Sequence, residues 1–156
     1  MSTSGRGEAE PSMKEHQTAL TEVSFLLEML SSTIKEVVGG GTATVCRNAG
    51  RHMGKKLPVY LKEPTLEQAA TTVCDHLKGG FEIRVQIPEP DVADMTFGRC
   101  PIRAVCGSRS QDLGGDLCSM FHWYLGGILN ELTGRPCRSA IQSTGASECS
   151  IRVDAT

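Results

Sequence analysis

Aromatic residues are scarce in this chain, only 4% of 156 residues, and no run of basic residues occurs. Sixteen basic against eighteen acidic side chains give a net charge of -2. A nucleic-acid platform needs a basic patch interleaved with stacking rings, so direct binding of nucleic acid is disfavoured. Long hydrophobic runs are missing too. No window approaches the roughly 20 apolar residues of a membrane span, and the first thirteen residues, MSTSGRGEAEPSM, hold no apolar stretch of the kind an export signal needs. No membrane association and a cytoplasmic location are therefore expected. HExxH, HxxxH and GxSxG are absent, which speaks against a hydrolytic zinc site and a nucleophile elbow. CxxC pairs are also absent, so neither a zinc ribbon nor a bacterial ferredoxin is written here.

What is present fits one compact domain: 39% hydrophobic and 22% charged residues. A chain of this length buries roughly two-thirds of its unfolded surface, so it folds without disulfides or metal, and a metal would imply function. Seven cysteines are an odd number in a chain with no export signal. Such thiols are reduced, and serve as metal ligands, as nucleophiles or as buried apolar groups. Five of the seven fall in the last 57 residues, which places any thiol chemistry in the C-terminal half.

Residues 1–13, rich in Ser, Gly and Glu, read as a disordered tail, and 14–156 as a single domain. Leu20, Val23, Leu27, Leu30, Ile34 and Val37 recur at helical intervals, a heptad seam that serves either the core or a second subunit. Gly39-Gly40-Gly41 ends this helix. A second runs from Thr42 or Thr44 to about Lys56, before Pro58, and its Gly50 and Gly54 permit close helix packing. A third, beginning near Pro64 with Thr65 as a cap candidate, carries Leu66, Ala69, Ala70, Val73 and Leu77. The period then changes to two: Phe81, Ile83, Val85 and Ile87 line one face of a strand. A short strand near Met95 to Gly98 follows, then a loop from Cys100 to Gly115, with Asp116 as the cap of a long helix from Leu117 to Leu132. Strands near 138–143 and 148–153, joined at Thr144-Gly145, complete the chain. Helices followed by a small, mostly antiparallel sheet crossed by a long helix make an α+β fold.

Cys100, Cys106, Cys118 and Cys149 form the constellation that carries chemistry. A thiolate in the first turn of a helix is stabilised by the helix dipole, and Cys118 is so placed. Four soft thiolates would complete the shell of zinc or of an iron-sulfur cluster. Inert burial competes with that reading, and Cys46, Cys74 and Cys137 fit it. His122 and Trp123, one turn further along the helix, are candidate ligand contacts. Arg103, with Arg47, Arg51 and Arg99, could meet an anionic ligand.

The stretch from Cys118 through WYLGGILNELTGRP to ECSIRV resembles the core of the 4-vinyl-reductase (hydrocarbon-binding) domain, and TATVCRNAGRHMGKKL resembles an earlier helix of that family. The resemblance spans residues 20–155. It implies a small α+β domain, often dimeric, that encloses an apolar pocket and senses small molecules. Related modules occur in aromatic-responsive regulators, in bacteriochlorophyll biosynthesis and in vesicle-tethering subunits. The zinc site of the aromatic sensors would carry over to Cys118 and Cys149; Thr144 stands where a middle cysteine would be, so Cys100 or Cys106 would have to substitute. The cysteines are also similar to the C-terminal module of iron-sulfur-sensing repressors, whose ligands would carry over to Cys100, Cys118 and Cys149, with Cys106 as a fourth. The helix-turn-helix of those repressors is not in this sequence.

The expectation is thus a small-molecule or redox sensing domain, homodimeric through the Leu20 to Val37 helix. Cys100, Cys106, Cys118 and Cys149 would hold a 4Fe-4S cluster, the favoured cofactor, or zinc, beside a pocket for a small apolar or tetrapyrrole-like ligand. Two other readings stand beside it: an enzyme or carrier acting on a hydrophobic or tetrapyrrole-like substrate without a metal, and a pure interaction subunit. The sequence does not decide whether the chain is an enzyme.

Overall fold

A computed structural model describes residues 12–57 and 62–156. Most of the expected tail and Pro58 lie outside them. The order is α1 (Met13–Val38), a 3-10 turn at Gly39–Gly41, α2 (Thr42–Gly54), α3 (Leu66–Leu77), β1 (Ile83–Glu89), β2 (Val92–Phe97), α4 (Pro101–Ser108), α5 (Asp116–Thr133), β3 (Cys137–Ser143) and β4 (Cys149–Ala155). This is the α+β class read from the sequence. Two helices start at capping boxes. The Ser12 and Thr65 side chains accept from the N–H groups of Glu15 and Gln68, whose side chains bond back to the cap N–H.

The sheet is antiparallel throughout, in the order β1-β2-β4-β3. Side-chain alternation sets which face is covered. Ile83, Val85 and Ile87 pack on the core while Arg84 and Gln86 are exposed, and Ala93, Met95 and Phe97 are buried. Ile151, Val153 and Ala155 of β4 join the same core. Onto this face pack α3, through Leu66, Ala69, Ala70 and Val73, and α5, through Leu125, Ile128, Leu129 and Leu132.

On its other side α5 carries α2, and here two backbones nearly touch. A Cβ added at Gly50 would lie 2.0 Å from the Tyr124 carbonyl oxygen, and one at Gly127 would lie 2.1 Å from that of Arg47. The glycine spacing read in α2 does allow close packing, and Gly127 supplies the matching gap in α5.

Three readings change. The stretch 100–115 is not all loop: α4 forms over eight of its residues, with Pro101 at its first turn, a position where the missing N–H costs nothing. Asp116 is the first residue of α5 and not its cap, which is Gly115; its carboxylate instead takes two hydrogen bonds from Lys35 Nζ, at 2.7 and 2.8 Å. Finally, the apolar seam of α1 is not a core face. Within α1 only Ser24 and Ser31 are fully buried, Leu27 and Ile34 are half-buried, and Leu20, Val23, Leu30 and Val37 are exposed. Among the described residues no helix is long and apolar enough to cross a membrane.

Candidate functional site

Where the end of β2, α4, the start of α5 and the β3–β4 hairpin meet, they enclose a cavity. Its lining is mostly apolar: Phe97, Ile102, Leu113, Phe121, Ile141 and Ile151, with the thiols of Cys100, Cys118 and Cys149. Arg103, Thr144 and Ser150 also border it, although almost none of its surface is polar. Phe121 is fixed by its neighbours, stacked on Phe81 at 5.0 Å between ring centroids and edge-on to Phe97 at 5.9 Å. The cavity volume is about 30 Å³, against the ~10–15 Å³ that one water needs. In this closed form the cavity cannot take a ring or a chain without movement of a wall.

The wall with room to move is α4. Cys100 and Ile102 line the cavity on one side and, on the other, an open groove of about 670 Å³ between α4 and α1. Only Val105, Cys106 and Leu117 are fully buried in the small cluster beneath, with Leu27, Ile102, Leu113 and Cys118 half-buried around them. Across the cavity stand α5 and the sheet, which belong to the main core.

The four cysteines singled out in the sequence gather here. Cys100, Cys118 and Cys149 line the cavity, and Cys106 lies behind Cys118 with its sulfur 4.0 Å away. They do not form a ligand shell as they stand. Thiolate ligands sit ~2.3 Å from a zinc ion, yet among the described residues no three His, Cys, Asp or Glu side chains converge on one point. Cys149 is engaged otherwise: its sulfur receives a hydrogen bond from Arg103 Nη2 at 3.2 Å and faces the Gly145 carbonyl at 3.6 Å. The Cys106 thiol is pushed up to about 12, first by burial and then by the Cys118 sulfur. Burial also raises Cys100, against the opposing pull of nearby backbone N–H groups and the Arg103 charge. Burial thus favours the protonated form of the Cys100 and Cys106 thiols.

Of the three expected ligand contacts, Arg103 is in the cavity wall, and His122 and Trp123 are not. His122 is buried toward β3. Ser139 donates its hydroxyl proton to the His122 carbonyl at 2.8 Å, so its oxygen is left to accept from Nδ1–H at 2.9 Å. The bond places a proton on Nδ1. Burial, and after it the Arg47 charge, pushes its pKa down to about 4. Trp123 stacks obliquely beside it at 5.2 Å. Sequence reasoning missed the apolar lining residues as a site, because an alternating strand and an amphipathic helix give the same signal whether they border a cavity or a filled core.

No family model matches the chain, and no curated relative matches it. Solved structures of the same fold are found. Subunit 3 of a trafficking protein particle complex from Naegleria fowleri, described as covalently bound to palmitic acid, is similar with a TM-score of 0.60 at 12% identity, covering 90% of this chain and 96% of that one. The phenol-responsive sensory domain of the transcription activator PoxR, with phenol, is similar with a TM-score of 0.55 at 13% identity, covering 85% of this chain and 74% of that one. At such identities the likeness shows a shared small α+β fold. Membership in the 4-vinyl-reductase family is not shown.

Proposed function

We propose that the chain is a small-molecule binding and sensing domain that takes an apolar ligand into the cavity between α4 and α5. The observation that carries this reading is the asymmetry of the cavity's walls: an almost wholly apolar lining, fixed on one side and closed on the other by a short helix with empty space behind it. A ligand that enters displaces α4 toward α1, and this movement is the signal a partner would read. The two proteins of like fold are described with palmitic acid and with phenol, in keeping with an apolar guest. The closed volume favours one ring or a short chain over a tetrapyrrole.

The exposed heptad residues of α1 support a homodimer, since Leu20, Leu30 and Val37 stand 55%, 51% and 78% exposed on a seam spaced for pairing. A metal or cluster competes for the same place. It would require Cys100 and Cys149 to close on the Cys106–Cys118 pair after Cys149 leaves Arg103.

Native mass spectrometry of anaerobically purified protein, with phenol and toluene added, reads all three. The expected result is a dimer without metal mass that gains one ligand per chain, with Tm rising as ligand is added. Stoichiometric zinc or iron, or no apolar compound bound at millimolar concentration, overturns the binding proposal; a monomer overturns the dimer alone.

A further inference from the structure

The Arg103 side chain has five N–H donors to place, and the structure accounts for four. Nη1 donates to the Gly98 carbonyl at 2.6 Å and the Ser147 carbonyl at 3.2 Å; Nη2 donates to the Phe97 carbonyl at 2.9 Å and the Cys149 sulfur at 3.2 Å. Nε–H is buried and has no partner among the described residues. Among the described residues every partner is a neutral carbonyl or a thiol. Among the described residues Arg103 joins no ion pair; Arg47, Arg99 and Arg138 join none either, but of these four only Arg103 has a buried nitrogen without a partner. A buried donor without an acceptor is a standing cost in free energy, and a guanidinium without a counter-charge adds to it.

We infer that the ligand of this cavity is an apolar monocarboxylate whose carboxylate accepts a hydrogen bond from Arg103 Nε–H and supplies the missing negative charge. This rests on the apolar-ligand reading above and narrows it to a class. The Phe97, Gly98 and Ser147 carbonyls lie outside α4 and hold the guanidinium fork while the helix backbone shifts, so the donor is set before the ligand arrives. The ligand's ring or chain lies against Phe97, Phe121, Ile141 and Ile151. A charge-assisted hydrogen bond is stronger than a neutral one, which separates an acid from its alcohol and hydrocarbon analogues of the same shape.

Titration calorimetry on the full chain at pH 7.5 in low salt, with benzoate, benzyl alcohol and toluene, tests this. Benzoate is expected to bind at least tenfold more tightly than either neutral analogue. In the 1H–15N spectrum of the same protein, the Arg103 Nε–H signal is expected to move downfield with benzoate and to stay in place with toluene. Arg103→Gln, if it folds, should lose the preference for benzoate while still taking up toluene. Equal affinity for all three compounds overturns the carboxylate assignment and leaves the cavity as an apolar binding site. Tight benzoate binding without any change at the Arg103 Nε–H also overturns it, and failure of all three to bind overturns both readings.

Discussion

The two walls of the cavity are built by opposite methods. On one side, α5 is pressed between the sheet and α2, with Leu125 and Leu129 completely buried and with glycines placed where the α2 and α5 backbones come into contact. On the other, α4 itself supplies two of the three residues of a small buried cluster, is held to the end of β2 and to the β3–β4 hairpin by the Arg103 hydrogen bonds, and is tied to α1 by two polar contacts. These are the Glu28–Arg109 ion pair and the Arg109 guanidinium 5.0 Å from the centre of the Phe25 ring. Local stability follows buried apolar contact, so α4 is the wall expected to yield first. The same kind of substitution should therefore have different consequences in the two places.

Gly127→Ala is the sharpest test of the rigid side. Its Cβ would lie within the contact distance of Arg47 backbone atoms, which no rotamer change can relieve. Separation of α2 from α5 is expected to cost about 3 kcal/mol or more, measured as a lowered midpoint in urea, and failure to fold would agree with it. A loss under about 1 kcal/mol would mean that the helices are not so closely joined.

Acid should attack the same side. The His122 pKa is depressed from 6.5 to about 4, first by burial and then by the Arg47 charge, so the unfolded chain binds a proton in this range that the folded one does not. The contribution is complete above pH 6.5 and is lost as pH falls through 6.5 toward 4, an effect of about 3 kcal/mol at most. Urea unfolding of the wild type and of His122→Gln across that range separates this loss from that of other groups, such as Asp94, whose carboxylate is stabilised by Arg152. Parallel stability curves for the two proteins would show that His122 is not the group responsible.

This division was only half legible in the sequence. The strands were readable because Ile83, Val85 and Ile87 alternate with polar residues, and α5 because its apolar residues recur at helical spacing. Both are local patterns that burial imposes on one face. Phe81, counted with the first strand, lies outside it and stacks on Phe121, since an aromatic partner can hold a residue without a sheet register. The helix α4 was hidden, because eight residues that include a proline and a glycine give too short a pattern for periodicity. On α1 the apolar spacing was read correctly as helix, yet spacing cannot say whether a face meets its own domain or another chain. The gathering of Cys100, Cys118 and Cys149 was legible from their residue types, whereas the Arg103–Cys149 bond depends on a hairpin coming back beside α4.

The smallest expected effect carries the opposite sign and lies on the loose side. Gly107 sits near the end of α4, exposed, with nothing within 4 Å of where a Cβ would be. Alanine there meets no neighbour, and it removes backbone freedom from the unfolded chain. Gly107→Ala should therefore stabilise the protein by about 0.5 kcal/mol, somewhat less than the full helix-interior gain because the position is close to the helix end. If α4 must shift or fray to admit a ligand, stiffening it should also slow ligand association while leaving the α2–α5 contact untouched, and stopped-flow binding measures this directly. Unchanged association in a more stable variant would indicate that α4 moves as an intact helix, hinged at its ends. Slower association would place the opening within the helix itself.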